Sequence, residues 1–341
     1  MTGTKTVYVG CGDWSGETGK IQVFSLDTTD LTLELRQELA AGGVAAFMAR
    51  SSDGSTLYVA DETQGFLSSY AIDGASGELT LRNRVSSAGH PVYVALAPRG
   101  TALTTCFFAE ARTQVFALEA DGSLGAGTCL VDSGRESHCT VFDPSGRFLF
   151  VPTRGDNWVA QYRFEPSTGT LVPLSPARVT EAEGAGPRHI TFHPSGRYAY
   201  LVNELTLTLS VYAFDAESGQ LSPIQTGVPV APAGVQGGSA ADLHVHPNGR
   251  FLYVSNRQDE RSTIAIFALD PASGHARLCG HELTRGRTPR NFALDAEGRV
   301  LIVGNQSSSD VALFRIVADG ERLEHVSSRT VPPGPFFIGI Y

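Results

Sequence analysis

One hairpin pattern, written six times, constrains this chain more than any other feature. Each copy is a short apolar strand, a turn carrying glycine, and a second apolar strand that ends in a polar or aromatic residue. The copies read SSDGSTLYVAD around Gly54, APRGTALTTCF around Gly100, DPSGRFLFVPT around Gly146, HPSGRYAYLVN around Gly196, HPNGRFLYVSN around Gly249 and DAEGRVLIVGN around Gly298. Pro, Asp, Asn and Ser before each glycine supply the turn chemistry. The glycines are spaced 46, 46, 50, 53 and 49 residues apart, the period of a four-stranded propeller blade.

After each hairpin come two more strands. SVYAFDAESG, IAIFALDPASG and VALFRIVADG supply the third, and Ser76-Gly77-Glu78-Leu79, Thr168-Gly169-Thr170-Leu171 and Ser218-Gly219-Gln220-Leu221 mark the turn into the fourth. The two ends of the chain complement each other. TVYVGC at Thr6 to Cys11 is a second strand without a first, and Pro335 to Tyr341 is a first strand with nothing after it. Pairing them adds a seventh blade and removes the two sheet edges that an open ring would expose. The expected fold is therefore all-β: a seven-bladed β-propeller of four-stranded blades, closed by the C-terminal strand, with residues 1–341 as one domain.

Charge narrows the function. A net charge of -9 and a pI near 5.5 disfavour nucleic acid, whose binding is dominated by phosphate neutralisation. Five cysteines, odd in number and without C-x-x-C spacing, signal neither a disulfide framework nor structural zinc. The N-terminal residues enter a strand with no signal-type apolar core, and no 18-residue apolar run occurs elsewhere. A cytoplasmic protein without a membrane partner is expected; the oligomeric state is left open.

The geometry of alternating strands places the functional end. Labelling the strands of a blade A to D outward from the axis, the D-to-A and B-to-C connections share one end of the ring and the glycine turns occupy the other. Eight residues before each glycine stand Ala46, Val92, His138, Arg188, Ala241 and Arg290; eight after it stand Glu62, Phe108, Arg154, Glu204, Arg257 and Gln306. One position earlier on the second strand stand Asp61, Phe107, Thr153, Asn203, Asn256 and Asn305. The stretch GPRHITFHPSGRYAYLVNEL brings Arg188, His189, Asn203 and Glu204 to the same mouth. Guanidinium forks beside a carboxylate and an imidazole suit a small anionic molecule and proton transfer.

The candidate catalytic residues are Glu204, His138, Arg188 and Arg257, with His189, Asn203, Asn256, Arg290 and Asn305 as substrate-binding candidates. Arg154, Glu62 and Asp61 read instead as ion pairs lining a wet channel. His193 and His246 precede the proline of the glycine turns and fall at the wrong end; His244, His275, His281 and His325 have no constellation around them, and His90 sits two residues off the key register. Glu204, Asn203, Asn256 and Asn305 could offer oxygens to a cation, but the arginines beside them argue against one. No metal or cofactor is expected.

At these residues the chain resembles the lactonase family of seven-bladed propellers, of the 6-phosphogluconolactonase and carboxymuconate lactonizing enzyme type. Ser137-His138, Gly186-Pro187-Arg188-His189 to Asn203-Glu204-Leu205, Phe251 to Arg257, and Thr288-Pro289-Arg290-Asn291-Phe292 carry the resemblance, which spans essentially the whole chain. It implies a metal-independent site at His138, Arg188, Glu204 and Arg257. Departures lie at Cys106-Phe107-Phe108-Ala109-Glu110, at Ala241-Asp242 and at Thr153-Arg154-Gly155-Asp156. The implied activity is hydrolysis of an acidic sugar-type lactone, with 6-phosphogluconolactone as the family default. Glu204, with His138, would activate water, and Arg188 and Arg257 would hold the substrate's anion and stabilise the oxyanion. A cycloisomerase closing a muconate on the same residues is the alternative, and a non-catalytic scaffold the third.

Overall fold

The computed structural model describes residues 3–16 and 18–341. Seven antiparallel four-stranded sheets surround a central axis. Blade 1 combines Pro335–Ile340 with Thr4–Cys11, Lys20–Asp27 and Thr32–Ala40; blades 2 to 7 follow in chain order as residues 45–86, 91–132, 137–180, 187–229, 239–283 and 289–330. The expected closure is present: Val7 pairs with Ile340 and Val9 with Ile338. The termini thus share one sheet, and the ring has no open edge.

What holds the ring is packing between blades. Neighbouring sheets bury their facing side chains against each other; Val7, Val9 and Phe24 of blade 1, for example, meet Val300, Ile302 and Leu313 of blade 7. Second strands such as Thr56–Asp61, Phe148–Thr153 and Tyr198–Asn203 are buried at every residue, and so read as unbroken apolar runs. Fourth strands keep one face in water and alternate. At the far end of the ring the six turn glycines all have φ between 65° and 76°, a region that costs glycine nothing and other residues steric strain. His193 and His246 lie at that end, as expected, and latch blades together: their Nε2 atoms meet the carbonyls of Gly249 and Gly298 in the next blade's turn.

The first strands carry the feature that builds the site. In blade 5 Pro187 pairs with Asn203 and His189 with Val202, so Arg188 is an extra, bulged residue. The same bulge falls at Ala46, Val92 and Arg290, and at Phe336 in blade 1, where Gly10 pairs with Phe337 and Cys11 with Pro335. Blade 6 bulges across Ala241 and Asp242. In blade 4 the ladder is broken more severely: only Val141–Phe142 is a strand, and His138 follows an isolated bridge between Ser137 and Thr153. A bulge re-aims the side chain it carries. Seven such positions at one register therefore form the ring of residues around the mouth.

Candidate active site

Directly beneath the mouth, the next residue of each first strand closes the channel. These are Phe47, Tyr93, Cys139, His189, Asp242, Asn291 and Phe337, from seven different blades. Phe47 stacks on Tyr93 at 3.7 Å between ring centroids and meets Phe337 edge-on at 4.8 Å. His189 packs edge-on to Tyr93 and sets its Nδ1 2.8 Å from Asp242 Oδ1. The other Asp242 oxygen accepts from Asn291 Nδ2 at 2.5 Å and lies 3.1 Å from His244 Nε2; Asn291 Oδ1 in turn accepts the Ile338 amide at 2.7 Å. Burial works against the charge on Asp242, but His244 and His189 prevail and hold its carboxyl well below the usual range. His244 therefore has a partner that sequence reasoning did not find, and His189 belongs to the floor.

Above this floor a cavity of about 180 Å³ is lined by Trp14, Glu62, Val92, Phe108, His138, Arg154, Glu204, Arg257 and Arg290. Glu204 organises its cationic wall. Its Oε1 receives Arg154 Nη1 at 2.7 Å, and its Oε2 lies 2.9 Å from Arg188 Nε and 3.2 Å from Arg257 Nη2. The three arginines come from blades 4, 5 and 6. Burial alone would raise the Glu204 carboxyl, yet Arg188, Arg257 and Arg154 bring it down to about 2. Such a carboxylate stays charged at neutral pH, with its oxygens already facing three cations.

Each guanidinium is fixed further. Arg188, 1% exposed, also donates to the Ala241 carbonyl and does not line the cavity; burial and then Arg257 pull its pKa down to about 9, with Glu204 pushing back, which leaves it a cation at neutral pH. Arg257 donates to the Ala240 carbonyl at 3.0 Å. Arg154 adds an ion pair with Glu136 at 2.7 Å and lies over the Phe108 ring. Arg290 lies over Trp14 and Phe336, with Glu62 3.8 Å away.

His138 stands apart from this pairing. It is 7% exposed, packs edge-on to Phe108 and His189, and its Nδ1 has no hydrogen-bond partner. Burial, followed by Arg188, His189, Arg290 and Arg257, drives its pKa well below the ordinary value. The ring is neutral at physiological pH, with a nitrogen lone pair or proton free for a ligand.

Glu62 and Arg154, taken from sequence as channel-lining ion pairs, do form ion pairs, yet both line the cavity. Asp61 instead caps its own loop, accepting from the amides of Gly43, Thr63 and Gln64. Asn203, Asn256 and Asn305 turn away from the cavity into their own blades: their Nδ2 atoms donate to Glu181 and Ser210, to the Val230 carbonyl, and to the Thr284 carbonyl and Asp310. Counting missed Trp14 and Phe336, because blade 1 carries no turn glycine to count from. Among the described residues no cluster of three His, Cys, Asp or Glu could hold a metal ion.

Outside the cavity, and sharing Trp14, Glu62, Val92 and Phe108 with it, lies an open cleft of about 370 Å³ that adds Ser15, Thr63, Gln64, His90 and Ala109. His90 is paired there with Glu110 at 2.8 Å.

Comparison with known proteins agrees with the fold. Residues 6–339 match the family described as lactonase, 7-bladed beta-propeller. The chain is 32% identical over 327 residues to the 6-phosphogluconolactonase of Pectobacterium carotovorum, covering 96% of each, and 28% identical over 331 residues to that of Formosa agariphila, covering 92% and 93%. Its fold superposes on the periplasmic gluconolactonase of Pseudomonas aeruginosa with a TM-score of 0.92 at 31% identity, covering 99% of both chains. A structure described as a putative 6-phosphogluconolactonase of Bacteroides fragilis matches with a TM-score of 0.90 at 25% identity, covering 99% and 98%.

Proposed function

The chain belongs to the lactonase family of seven-bladed β-propellers, and on that premise we propose that it hydrolyses a sugar lactone in the arginine-walled cavity, with His138 rather than Glu204 as the base. The observation that carries this reading is the contrast between the two groups. Glu204 is held in ion pairs with three guanidiniums; His138 lines the same cavity with a neutral ring whose Nδ1 has no hydrogen-bond partner.

The chemistry balances on these residues. Water adds to the lactone carbonyl and gives a proton to His138. Negative charge grows on the carbonyl oxygen, where Arg257 and Arg290 supply fixed positive charge in a site largely shielded from solvent. Collapse of the tetrahedral intermediate breaks the ring C–O bond, and the departing alkoxide takes the proton back from His138. Arg188 and Arg154 touch Glu204 and act as positioning residues, because a locked carboxylate keeps Arg257 from swinging out of place. The product is a hydroxy acid whose new carboxylate rests against the same guanidiniums.

No step in this sequence calls for a metal. Three of the five unpaired cysteines, Cys11, Cys106 and Cys139, are buried, in keeping with the reducing cytoplasm as the working compartment, and among the described residues no helix is long and apolar enough to cross a membrane.

The test is a pH-stat assay of purified protein against gluconolactone and its 6-phosphate, with carboxymuconate as the cycloisomerase control, in buffer containing EDTA. Hydrolysis of a sugar lactone that falls by roughly 10²-fold or more in kcat on His138→Gln supports the proposal. Turnover of carboxymuconate alone, or full activity in His138→Gln, refutes it.

A further inference from the structure

The cleft outside the catalytic cavity differs from it in charge. Four arginines lie within or behind the inner wall; among the described residues neither these nor any lysine lines the cleft. Among the described residues its acidic side chain is Glu62, and the His90 ring there lies 2.8 Å from Glu110. Glu62 presents a buried Oε2 without a hydrogen-bond partner, an acceptor that a ligand hydroxyl could satisfy. Beside it stands Trp14, 57% exposed, its ring held between Phe336, 4.9 Å away edge-on, and the Arg290 guanidinium at 5.3 Å. A tryptophan that exposed is costly in water, and one fixed from behind presents a flat apolar surface at little entropic cost on binding.

Charge bookkeeping around the inner cavity points the same way. Arg154, Arg188, Arg257 and Arg290 face Glu204, Glu136 and Glu62, with the Asp242 carboxylate acting on Arg188 from the floor, so four cations meet four carboxylates and no surplus charge is left over for a phosphate dianion. What the wall offers a ligand is local: the Arg257 and Arg290 guanidiniums that line the cavity can meet the oxyanion of the reaction, or the carboxylate of its product. A phosphate dianion elsewhere on the same ligand would meet Glu62, and the nearest guanidinium, Arg290, already lies over Trp14 and 3.8 Å from Glu62 Oε2, so like-charge repulsion would oppose it.

We infer that this cleft is the subsite for the distal, polyhydroxylated end of the substrate, with Trp14 as its stacking surface and Glu62 accepting its hydroxyls, and that the substrate is an unphosphorylated sugar lactone. This rests on the sugar-lactone reading above and deepens it. The lactone carbonyl enters the arginine-walled cavity beside His138, and the hydroxylated carbons lie outward across the junction that Trp14, Glu62 and Phe108 share. Glu62 is then the residue that separates a neutral end from a phosphorylated one.

Two measurements test this on the full-length chain. In the first, kcat/KM for D-glucono-1,5-lactone should exceed that for its 6-phosphate by about tenfold or more, the low end of the discrimination a pocket reaches on a single substituent. Glu62→Arg should shift the ratio of the two toward the phosphorylated lactone by a similar factor. Glu62→Gln, which keeps the shape, should shift it in the same direction by less. The second needs no turnover: the product analogues gluconate and 6-phosphogluconate are titrated against tryptophan fluorescence, with Trp14→Phe removing the Trp14 signal and leaving that of Trp158. Gluconate should perturb Trp14 at lower concentration than 6-phosphogluconate. A preference for the phosphorylated lactone, an unchanged ratio in both Glu62 variants, or a Trp14 signal indifferent to gluconate overturns the proposal. If gluconate perturbs Trp14 selectively while neither lactone is hydrolysed, the subsite stands and it is the hydrolytic reading that fails.

Discussion

Arg188 Nε lies 2.9 Å from Glu204 Oε2, and the two side chains are 2% and 9% exposed. This contact belongs to a cluster in which one carboxylate sits among three guanidiniums drawn from three blades. Removing the carboxylate strands buried positive charge, which typically costs about 3–5 kcal/mol. Glu204→Gln should therefore lower the melting temperature by roughly 5 °C or more. The sign of its pH dependence follows from the depressed carboxyl, about 2 in the folded protein against about 4.3 unfolded. Its contribution is fully present above the ordinary glutamate range and fades as the pH falls toward 2. The melting-temperature gap between wild type and variant should be wide at pH 7 and narrow at pH 3; an equal gap at both would mean that the cluster does not depend on this charge.

Ring closure gives a second expectation. The strand Pro335–Ile340 carries Phe336, Phe337, Ile338 and Ile340, each at most 8% exposed. At about 1.5–3 kcal/mol for each buried side chain, deleting residues 335–341 removes an amount comparable to the whole stability of an ordinary domain. It also opens the edge of Thr4–Cys11. Circular dichroism melts of the truncated chain should show loss of the cooperative transition or a large fall in its midpoint; an unchanged midpoint would place closure elsewhere.

Asp242 supplies a third. It joins the His189 ring to Asn291, whose carbonyl oxygen holds the Ile338 amide of the closing strand. Asp242→Ala should leave Asn291 and His189 without their partner and destabilise the protein by about 2–4 kcal/mol. The specific readout is hydrogen exchange at Ile338. Its amide should exchange faster in the variant by more than the global destabilisation accounts for, and exchange that tracks global stability alone would show that the floor does not transmit to the closing strand.

Much of this architecture was legible before any coordinates because a repeat converts sequence position into spatial position. Counting eight residues from each turn glycine reached His138, Arg188, Arg290, Glu62, Arg154, Glu204 and Arg257, seven residues that line or brace the cavity. The count works because the bulge recurs at one register. It failed where the repeat lacks its marker, so Phe336 and Trp14 in blade 1 were missed. It also failed one position off. Asn203, Asn256 and Asn305 end their strands at the same mouth, but their amides face inward along their own blades toward Ser210, Thr263 and Asp310. Residue type could not separate the two carboxylate environments either. Glu204 and Glu62 occupy equivalent registers; the first meets three arginines and the second one, at 3.8 Å, so burial prevails and holds the Glu62 carboxyl above its usual range. Only the neighbours brought by other blades decide between a locked anion and an available acceptor.

The identity of the base yields the last prediction. An unperturbed histidine base would cause kcat/KM to fall as the pH drops through about 6.5. Burial and the surrounding arginines push His138 well below that, so the folded enzyme keeps its imidazole neutral into the acid range. The rate of lactone hydrolysis should therefore stay level from pH 8 down through pH 6, with its acid limb displaced to lower pH. His138→Gln should lower kcat by roughly 10²-fold or more with a smaller change in KM, because the group acts on the proton in flight and not on the bound lactone. Glu204→Gln, assayed at a temperature where it remains folded, should lose rate through misplacement of Arg257 and should retain the wild-type acid limb. An acid limb near pH 6.5 in the wild type would show that burial and the arginines do not depress His138, and a limb abolished by Glu204→Gln but kept by His138→Gln would return the proton to Glu204.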